Sequence, residues 1–287
     1  MIVAIASGKG GTGKTSVAVN LARVFDTPVQ LLDCDVEEPN AHLFFSGTMI
    51  SEEEIAISVP EINADACNAC DECVEFCQFN ALASFCRTPL VFPELCHGCG
   101  GCAQVCPRGA ICEKDFRVGE VRTFQDERIT LISGCLDVGV SLASTIVHAV
   151  KNRLRNDLPA ILDAPPGTAC PAVATLRGAD YAVLVTEPTP FGLHDLGLAV
   201  DTARELRVPF GVVINRVGIG DDRVQDYCAR EGIPVLLEIP DDRRIAEAYS
   251  RGQIIVEALP EYRAYFELLW RNITAHLGGN TAIEAMS

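Results

Sequence analysis

Ile2-Val3-Ala4-Ile5-Ala6-Ser7-Gly8-Lys9-Gly10-Gly11-Thr12-Gly13-Lys14-Thr15-Ser16 joins an apolar run to a glycine-rich loop, and Val17-Ala18-Val19-Asn20-Leu21-Ala22 follows with helical spacing. From Gly8 to Thr15 the loop reads G-x-x-x-x-G-K-T between a predicted strand and a predicted helix. Glycines there let backbone N–H groups converge on phosphate oxygens, and the helix N-terminus adds partial positive charge. Lys14 is placed to reach the β- and γ-phosphates as a mobile point charge, the Thr15 hydroxyl to bind Mg2+, and Ser16 to continue the cradle. The stretch therefore predicts a nucleotide site at the head of an α/β fold.

Working outward, Pro28-Val29-Gln30-Leu31-Leu32 reads as a buried strand ending at Asp33-Cys34-Asp35, which makes a βαβ opening and a parallel sheet. Apolar runs at 159–163, 181–185, 210–214 and 235–237 predict further strands, and helices are expected near 15–25, 139–154, 191–206, 222–231, 241–250 and 262–277. The expected fold class is α/β, a doubly wound, mostly parallel sheet with helices on both faces. Between the second strand and the later ones the pattern weakens: Glu52-Glu53-Glu54 reads as a solvated face, 55–59 as a short strand, and 120–124 with 128–132 as a strand pair.

The composition changes at about Ile62. Residues 61–115 are rich in cysteine and carry eight acidic against three basic side chains, which marks a small inserted domain between a first part of the phosphate-loop domain, 1–60, and its second part, 116–287. The chain has fourteen cysteines, and eight form Cys67-x2-Cys70-x2-Cys73-x3-Cys77 and Cys96-x2-Cys99-x2-Cys102-x3-Cys106-Pro107. Two copies of C-x2-C-x2-C-x3-C make the bacterial two-cluster ferredoxin pattern, in which the fourth cysteine of each run serves the other cluster. Cys67, Cys70, Cys73 and Cys106 are thus expected to hold one [4Fe–4S] cluster, and Cys77, Cys96, Cys99 and Cys102 the other. Two zinc sites would use the same eight cysteines, but this spacing is not their usual one. The first run ends in Cys77-Gln78 where the pattern normally has proline. The six single cysteines, Cys34, Cys86, Cys112, Cys135, Cys170 and Cys228, read as small buried hydrophobes.

A magnesium-dependent NTPase needs a carboxylate closing a neighbouring strand, and Asp163, in Ile161-Leu162-Asp163-Ala164-Pro165-Pro166-Gly167, has that place. Gly167 is placed to offer its N–H to the γ-phosphate. With the second lysine of Gly8-Lys9-Gly10-Gly11-Thr12-Gly13-Lys14-Thr15, with Asp33-Cys34-Asp35 and with Asp163 to Gly167, the chain resembles the deviant Walker A ATPases of the MinD superfamily. The cysteine insert narrows the resemblance to members containing an inserted two-cluster ferredoxin domain.

That resemblance implies ATP and ADP as ligands, Mg2+ and two [4Fe–4S] clusters as cofactors, and dimer-dependent hydrolysis of ATP. It implies that Lys9 reaches the phosphates of a partner subunit, that Asp35 orients the attacking water, and that Asp163 and Gly167 are the Walker B and switch II residues. Asn215 resembles the adenine-reading asparagine, with the loop at Pro240 against the base; by residue type alone Asn215 equally caps a turn. Asp33 reads as a structural strand-end residue.

A formal charge of −16 argues against nonspecific nucleic-acid binding. No leader or membrane-spanning run is visible, so the chain reads as cytoplasmic, without a stable membrane anchor. The expected partners are a second copy or a related ATPase, and a redox protein. Three outputs stay open: electron transfer or redox regulation, cluster delivery, and MinD-type spatial positioning. Cluster carriers of this superfamily place a C-x-x-C pair near the C-terminus, and no such pair follows Cys106 here. Positioning needs a basic amphipathic C-terminal helix, whereas 261–271 is amphipathic but not basic, and its aromatic stripe reads as core.

Overall fold

The computed structural model describes residues 1–85 and 87–278. Its elements run β1 (Ile2–Ala6), α1 (Lys14–Arg23), β2 (Val29–Asp33), β3 (Thr48–Ile62), α2 (Glu72–Phe76), β4 (Leu82–Ala83), β5 (Leu90–Val91), α3 (Gly101–Val105), β6 (Ile111–Asp126), β7 (Ile129–Leu136) and α4 (Ala143–Lys151). They continue with β8 (Ala160–Asp163), α5 (Cys170–Leu176), β9 (Tyr181–Thr186), α6 (Pro190–Glu205), β10 (Phe210–Val217), α7 (Arg223–Glu231), β11 (Val235–Pro240), α8 (Arg243–Ser250), α9 (Ile255–Ala258) and α10 (Arg263–His276).

Among the described residues the main sheet has the order β11-β10-β9-β1-β8-β2-β7-β6-β3. The strands from β11 to β7 are parallel, while β6 and β3 are antiparallel additions at one edge. The central parallel strands β1, β8 and β9 are apolar over almost all of their length because both of their faces are covered. Alternate residues serve opposite cores: Val3, Ile5, Leu31 and Ile161 pack with α1, α9 and α10. Ala4, Leu32 and Leu162 pack with α4, α5, α6 and α7 on the other face. Phe266 and Trp270 of α10 are buried in the first of these cores, with Trp270 edge-on to Phe25, so the aromatic stripe of the last helix is core packing.

Several local readings differ from the structure. The short strand expected at 55–59 is part of the fifteen-residue β3, and the strand expected at 120–124 is part of the sixteen-residue β6. The two pair from Thr48↔Gln125 to Ile62↔Ile111, so the cysteine-rich segment leaves and re-enters the sheet on one continuous antiparallel ribbon. The helix expected over 139–154 is shorter, Ala143–Lys151. Helix α5, which follows the Pro-Pro-Gly turn, was not expected. Of the single cysteines, Cys34 and Cys228 are buried as expected, but Cys112 and Cys170 are exposed and Cys135 is half-buried; Cys86 lies outside the described residues.

Within the cysteine-rich segment the second run repeats the first in backbone geometry. Left-handed residues occur at Ala69, Asp71 and Asn80, and at the corresponding Gly98, Gly100 and Gly109. Helix α2 corresponds to α3, and the β4–β5 pair corresponds to the end of the β3–β6 ribbon. The result is two interlocked halves with small cores of their own.

Candidate active site

Helix α1 starts directly on the loop. Gly13 sits in the left-handed region at φ 92°, and a Cβ there would lie 2.5 Å from the Asn215 amide nitrogen, so only glycine closes this turn. A Cβ on Gly8 would lie 2.0 Å from the Asp195 carbonyl oxygen, because the loop runs directly against α6. Lys14 and Thr15 are buried, and the Thr12 hydroxyl is buried without a hydrogen-bond partner.

Because β2 and β8 are neighbours in register, Asp33 and Asp163 lie side by side. Asp33 accepts hydrogen bonds from the backbone N–H groups of Asp35, Asn40 and Ala41 at 3.0–3.2 Å, which fixes the loop after β2. It is a structural strand-end residue, as its position suggested. Burial and the neighbouring Asp163 hold its carboxyl above the usual range. Asp163 is fully buried, and neither of its carboxylate oxygens has a well-formed hydrogen bond. Burial pushes its carboxyl up to about 7, against the opposing pull of the Thr15 hydroxyl and the Lys14 ammonium. Asp35 is pushed up to about 6 by burial, with Lys14 holding it down and Glu38 and Glu37 adding repulsion. Lys14, Thr15, Asp35 and Asp163 are thus within one electrostatic neighbourhood. An orphaned buried carboxylate facing a threonine hydroxyl is the donor set that fits a hard divalent cation such as Mg2+.

Lys9 points elsewhere. Its ammonium donates to Glu187 Oε2 at 3.1 Å, at the carboxyl end of β9, and Glu187 Oε1 makes a 2.8 Å ion pair with Arg216 Nη1. The Gly167 N–H donates to the Ser7 carbonyl at 3.0 Å. Asn215 donates from its amide to the Thr12 carbonyl at 2.8 Å and accepts from the Arg216 N–H, so it clamps the end of β10 to the phosphate loop. Asn215 and Pro240 line one cleft with Gly11, Gly13, Ser16, Arg216 and Tyr249, next to the phosphate loop. Glu187 and Arg216 escaped the sequence reading. The available signal was an acid closing an apolar parallel strand beside the phosphate loop, the end of the sheet at which ligands bind in such folds.

The eight clustered cysteines divide between two cavities. Cys67, Cys70, Cys73 and Cys106 line one, with Ile62, Pro89 and Ile111. Cys77, Cys96, Cys99 and Cys102 line the other, with Phe76, Phe79 and Leu82. Backbone N–H groups of Ala69, Gly98 and Ala110 donate to the sulfurs of Cys67, Cys96 and Cys106 at 3.3–3.5 Å. Burial raises the thiols of Cys73 and Cys96, and each is raised further by a thiol from the other run, Cys106 and Cys77 respectively. Among the described residues no group of three or more His, Cys, Asp or Glu converges as a single metal ion requires. The thiols ring each cavity instead, which fits a cubane whose four irons each take one thiolate. No helix among the described residues is long and apolar enough to cross a membrane.

Residues 3–256 match the family described as the CobQ/CobB/MinD/ParA nucleotide binding domain. An uncharacterised protein of Methanocaldococcus jannaschii is 32% identical over 276 residues, covering 93% of this chain and 95% of its own. An iron-sulfur cluster carrier protein of Pyrococcus horikoshii is 24% identical over 93% of this chain and 83% of its own. Among solved structures, the cell division ATPase MinD of Pyrococcus furiosus superposes with a TM-score of 0.60 at 22% identity, covering 96% of this chain and 98% of the other.

Proposed function

This chain belongs to the CobQ/CobB/MinD/ParA nucleotide-binding family, and from that premise we propose a Mg-dependent ATPase that couples its nucleotide state to two [4Fe–4S] clusters in an inserted ferredoxin module. Electron transfer or redox regulation is the proposed output. The observation that carries the cluster half is the sorting of eight cysteines into two cavities, each with three thiols from one run and the fourth from the other. That exchange is what the spacing demands of a two-cluster ferredoxin.

On this reading Gly8, Gly10, Gly11, Thr12, Gly13 and Ser16 cradle the phosphates, Lys14 neutralises the β- and γ-oxygens, and Thr15 with Asp163 would hold Mg2+. The metal's contribution when bound is charge neutralisation across the transferred phosphoryl group. Asp35, raised by burial and held down by Lys14, would orient the attacking water. Asn215 and Pro240 wall the cleft in which adenine fits. Lys9 acts across a dimer, either of two copies or with a related ATPase, and must leave Glu187 to do so. Gly167 exchanges its bond to Ser7 for one to the γ-phosphate, which makes it the switch. A separate redox protein is the expected electron partner.

The name of the Pyrococcus horikoshii relative favours a second reading, delivery of a cluster to an acceptor. Retention is the better fit here, because each cluster is tied to both halves of the interlocked module and none is held at a surface by a single C-x-x-C pair. The test is anaerobic purification with iron, sulfide and zinc analysis and an ATPase assay. About eight iron atoms per chain are expected from two cubanes, retained after incubation with an apo-ferredoxin acceptor. Stoichiometric zinc without iron overturns the cluster reading, and iron transfer to the acceptor replaces retention with delivery.

A further inference from the structure

We infer that helix α4 is the rod that carries the nucleotide state from switch II to the cluster cavity facing the ATPase body, with Lys151 as its coupling to α5; the inference rests on the reading above and deepens it.

At its C-terminal end α4 is clamped to the helix that follows Gly167. The Lys151 ammonium donates to the carbonyls of Ala174, Thr175 and Arg177 at 2.7, 2.9 and 2.6 Å, two acceptors from the last turn of α5 and one from the residue that ends it. A cation there also meets the negative end of the α5 dipole, so the two helices are joined by a charge-assisted, multiply bonded contact. At its other end the loop before α4 touches the cysteine module: Ser141 Oγ donates to the carbonyl of Glu94 at 3.4 Å, two residues before Cys96. Nine helical residues rise about 13 Å, enough to bridge the two contacts.

The packing between these ends is continuous. Ala143, Ile146, Val147 and Val150 share one core with Ala164, which follows Asp163, with Leu176 of α5 and with Val118 of β6. Ile57 and Phe116 lie against that core and also against the small core of Val59, Ala81 and Cys96. The other cavity, with Cys67 and Cys106, sits at the far end of the ribbon beside Ile62 and Ile111. Beneath α4 the sheet presents two glycines. A Cβ on Gly134 would lie 2.7 Å from Ile146 and 2.8 Å from Val150, and one on Gly119 3.0 Å from Ile146. Ile146 and Val150 are thus seated in notches left by the two glycines, so α4 lies close against β6 and β7 and moves only together with the backbone beneath it.

The two-state element is the Gly167 N–H. It is bonded to Ser7 in this structure, and its transfer to a γ-phosphate pulls the start of α5, while Lys151 passes the shift to α4 and Ser141 to the strand of chain entering Cys96. The cluster held by Cys77, Cys96, Cys99 and Cys102 then feels the nucleotide, and the outer one does not.

The test is hydrogen–deuterium exchange on the anaerobically prepared, cluster-loaded full chain with and without Mg·ATP, for wild type, Lys151→Met and Lys151→Arg. In the wild type, ATP is expected to change exchange in 166–177, in 141–151 and in 93–100, but not in 67–73. In Lys151→Met the change is expected to stop at 166–177, with iron content and ATP affinity as in wild type, and Lys151→Arg is expected to restore it. A wild-type response confined to 166–177, or full propagation in Lys151→Met, overturns the inference. The wild-type comparison decides even if Lys151→Met folds poorly. A chain without iron or without ATP binding overturns the underlying reading itself, and the iron and affinity measurements identify that case separately.

Discussion

Replacing Asp163 with asparagine should stabilise the nucleotide-free protein while abolishing its proposed activity. The carboxyl is fully buried and held at about 7 against an ordinary 3.8, chiefly by burial. The folded state therefore keeps its proton to higher pH than the unfolded chain, which binds fewer protons throughout that window, so wild-type stability falls as pH rises from about 4 to about 7. At about 1.4 kcal/mol per unit, the full penalty above pH 7 is on the order of 4 kcal/mol, and it shrinks to under about 2 kcal/mol at pH 5. Asparagine keeps the shape and removes the charge. Thermal unfolding in the absence of nucleotide should thus show Asp163→Asn above wild type by roughly 5 °C or more at pH 8, with a markedly smaller gap at pH 5. The same variant should lose ATP hydrolysis by about 100-fold or more, as expected on losing an electrostatic transition-state contact. Equal increments at the two pH values, or a variant less stable than wild type at pH 8, would refute the assignment of Asp163 as the carboxylate strained by burial.

Three further outcomes are expected. Cys106→Ser should cost the cluster of Cys67, Cys70 and Cys73 and leave about four of eight irons, and adding Cys73→Ser should remove no more, because both serve the same cluster; anaerobic iron analysis reads this, and a fall of the double variant toward zero iron would contradict the exchange. Lys9→Ala should leave ATP affinity within about threefold, because the side chain faces Glu187 in the monomer, while hydrolysis falls tenfold or more, about 1.4 kcal/mol or more in the barrier, together with ATP-dependent dimerisation in sedimentation; a parallel loss of affinity would place Lys9 on its own subunit's phosphates. Phe266→Ala, at a fully buried position on α10, should lower unfolding free energy by about 3–5 kcal/mol in denaturant titration, with little change in iron content.

Much of this was legible in the chain because it is local. The strand–loop–helix at Ile2 to Ala22 and the two cysteine runs each carry their meaning in consecutive residues. The parallel strands were readable because burial on both faces gives each a short, mostly apolar run. Strands β3 and β6 were only glimpsed, since alternation shows where they pack on the core, as at Ile55, Ile57 and Val59, whereas Thr48 to Glu54 is almost wholly exposed. Helix α5 was missed because Cys170-Pro171-Ala172-Val173 is short, follows a Pro-Pro-Gly turn and buries small residues. Glu187 and Arg216 belong to a pairing between β9, β10 and the phosphate loop that only the fold brings together.

The ribbon of β3 and β6 also says something about how such a chain can be built and rebuilt. Ile62 and Ile111 are direct cross-strand partners, so the two points at which the cysteine module joins the sheet lie side by side. Deleting 63–110 and closing the strands with an Asn-Gly turn would leave a plain hairpin at the sheet edge. The cysteine-rich segment is thus attached through one two-ended plug, at the tip of a single antiparallel ribbon.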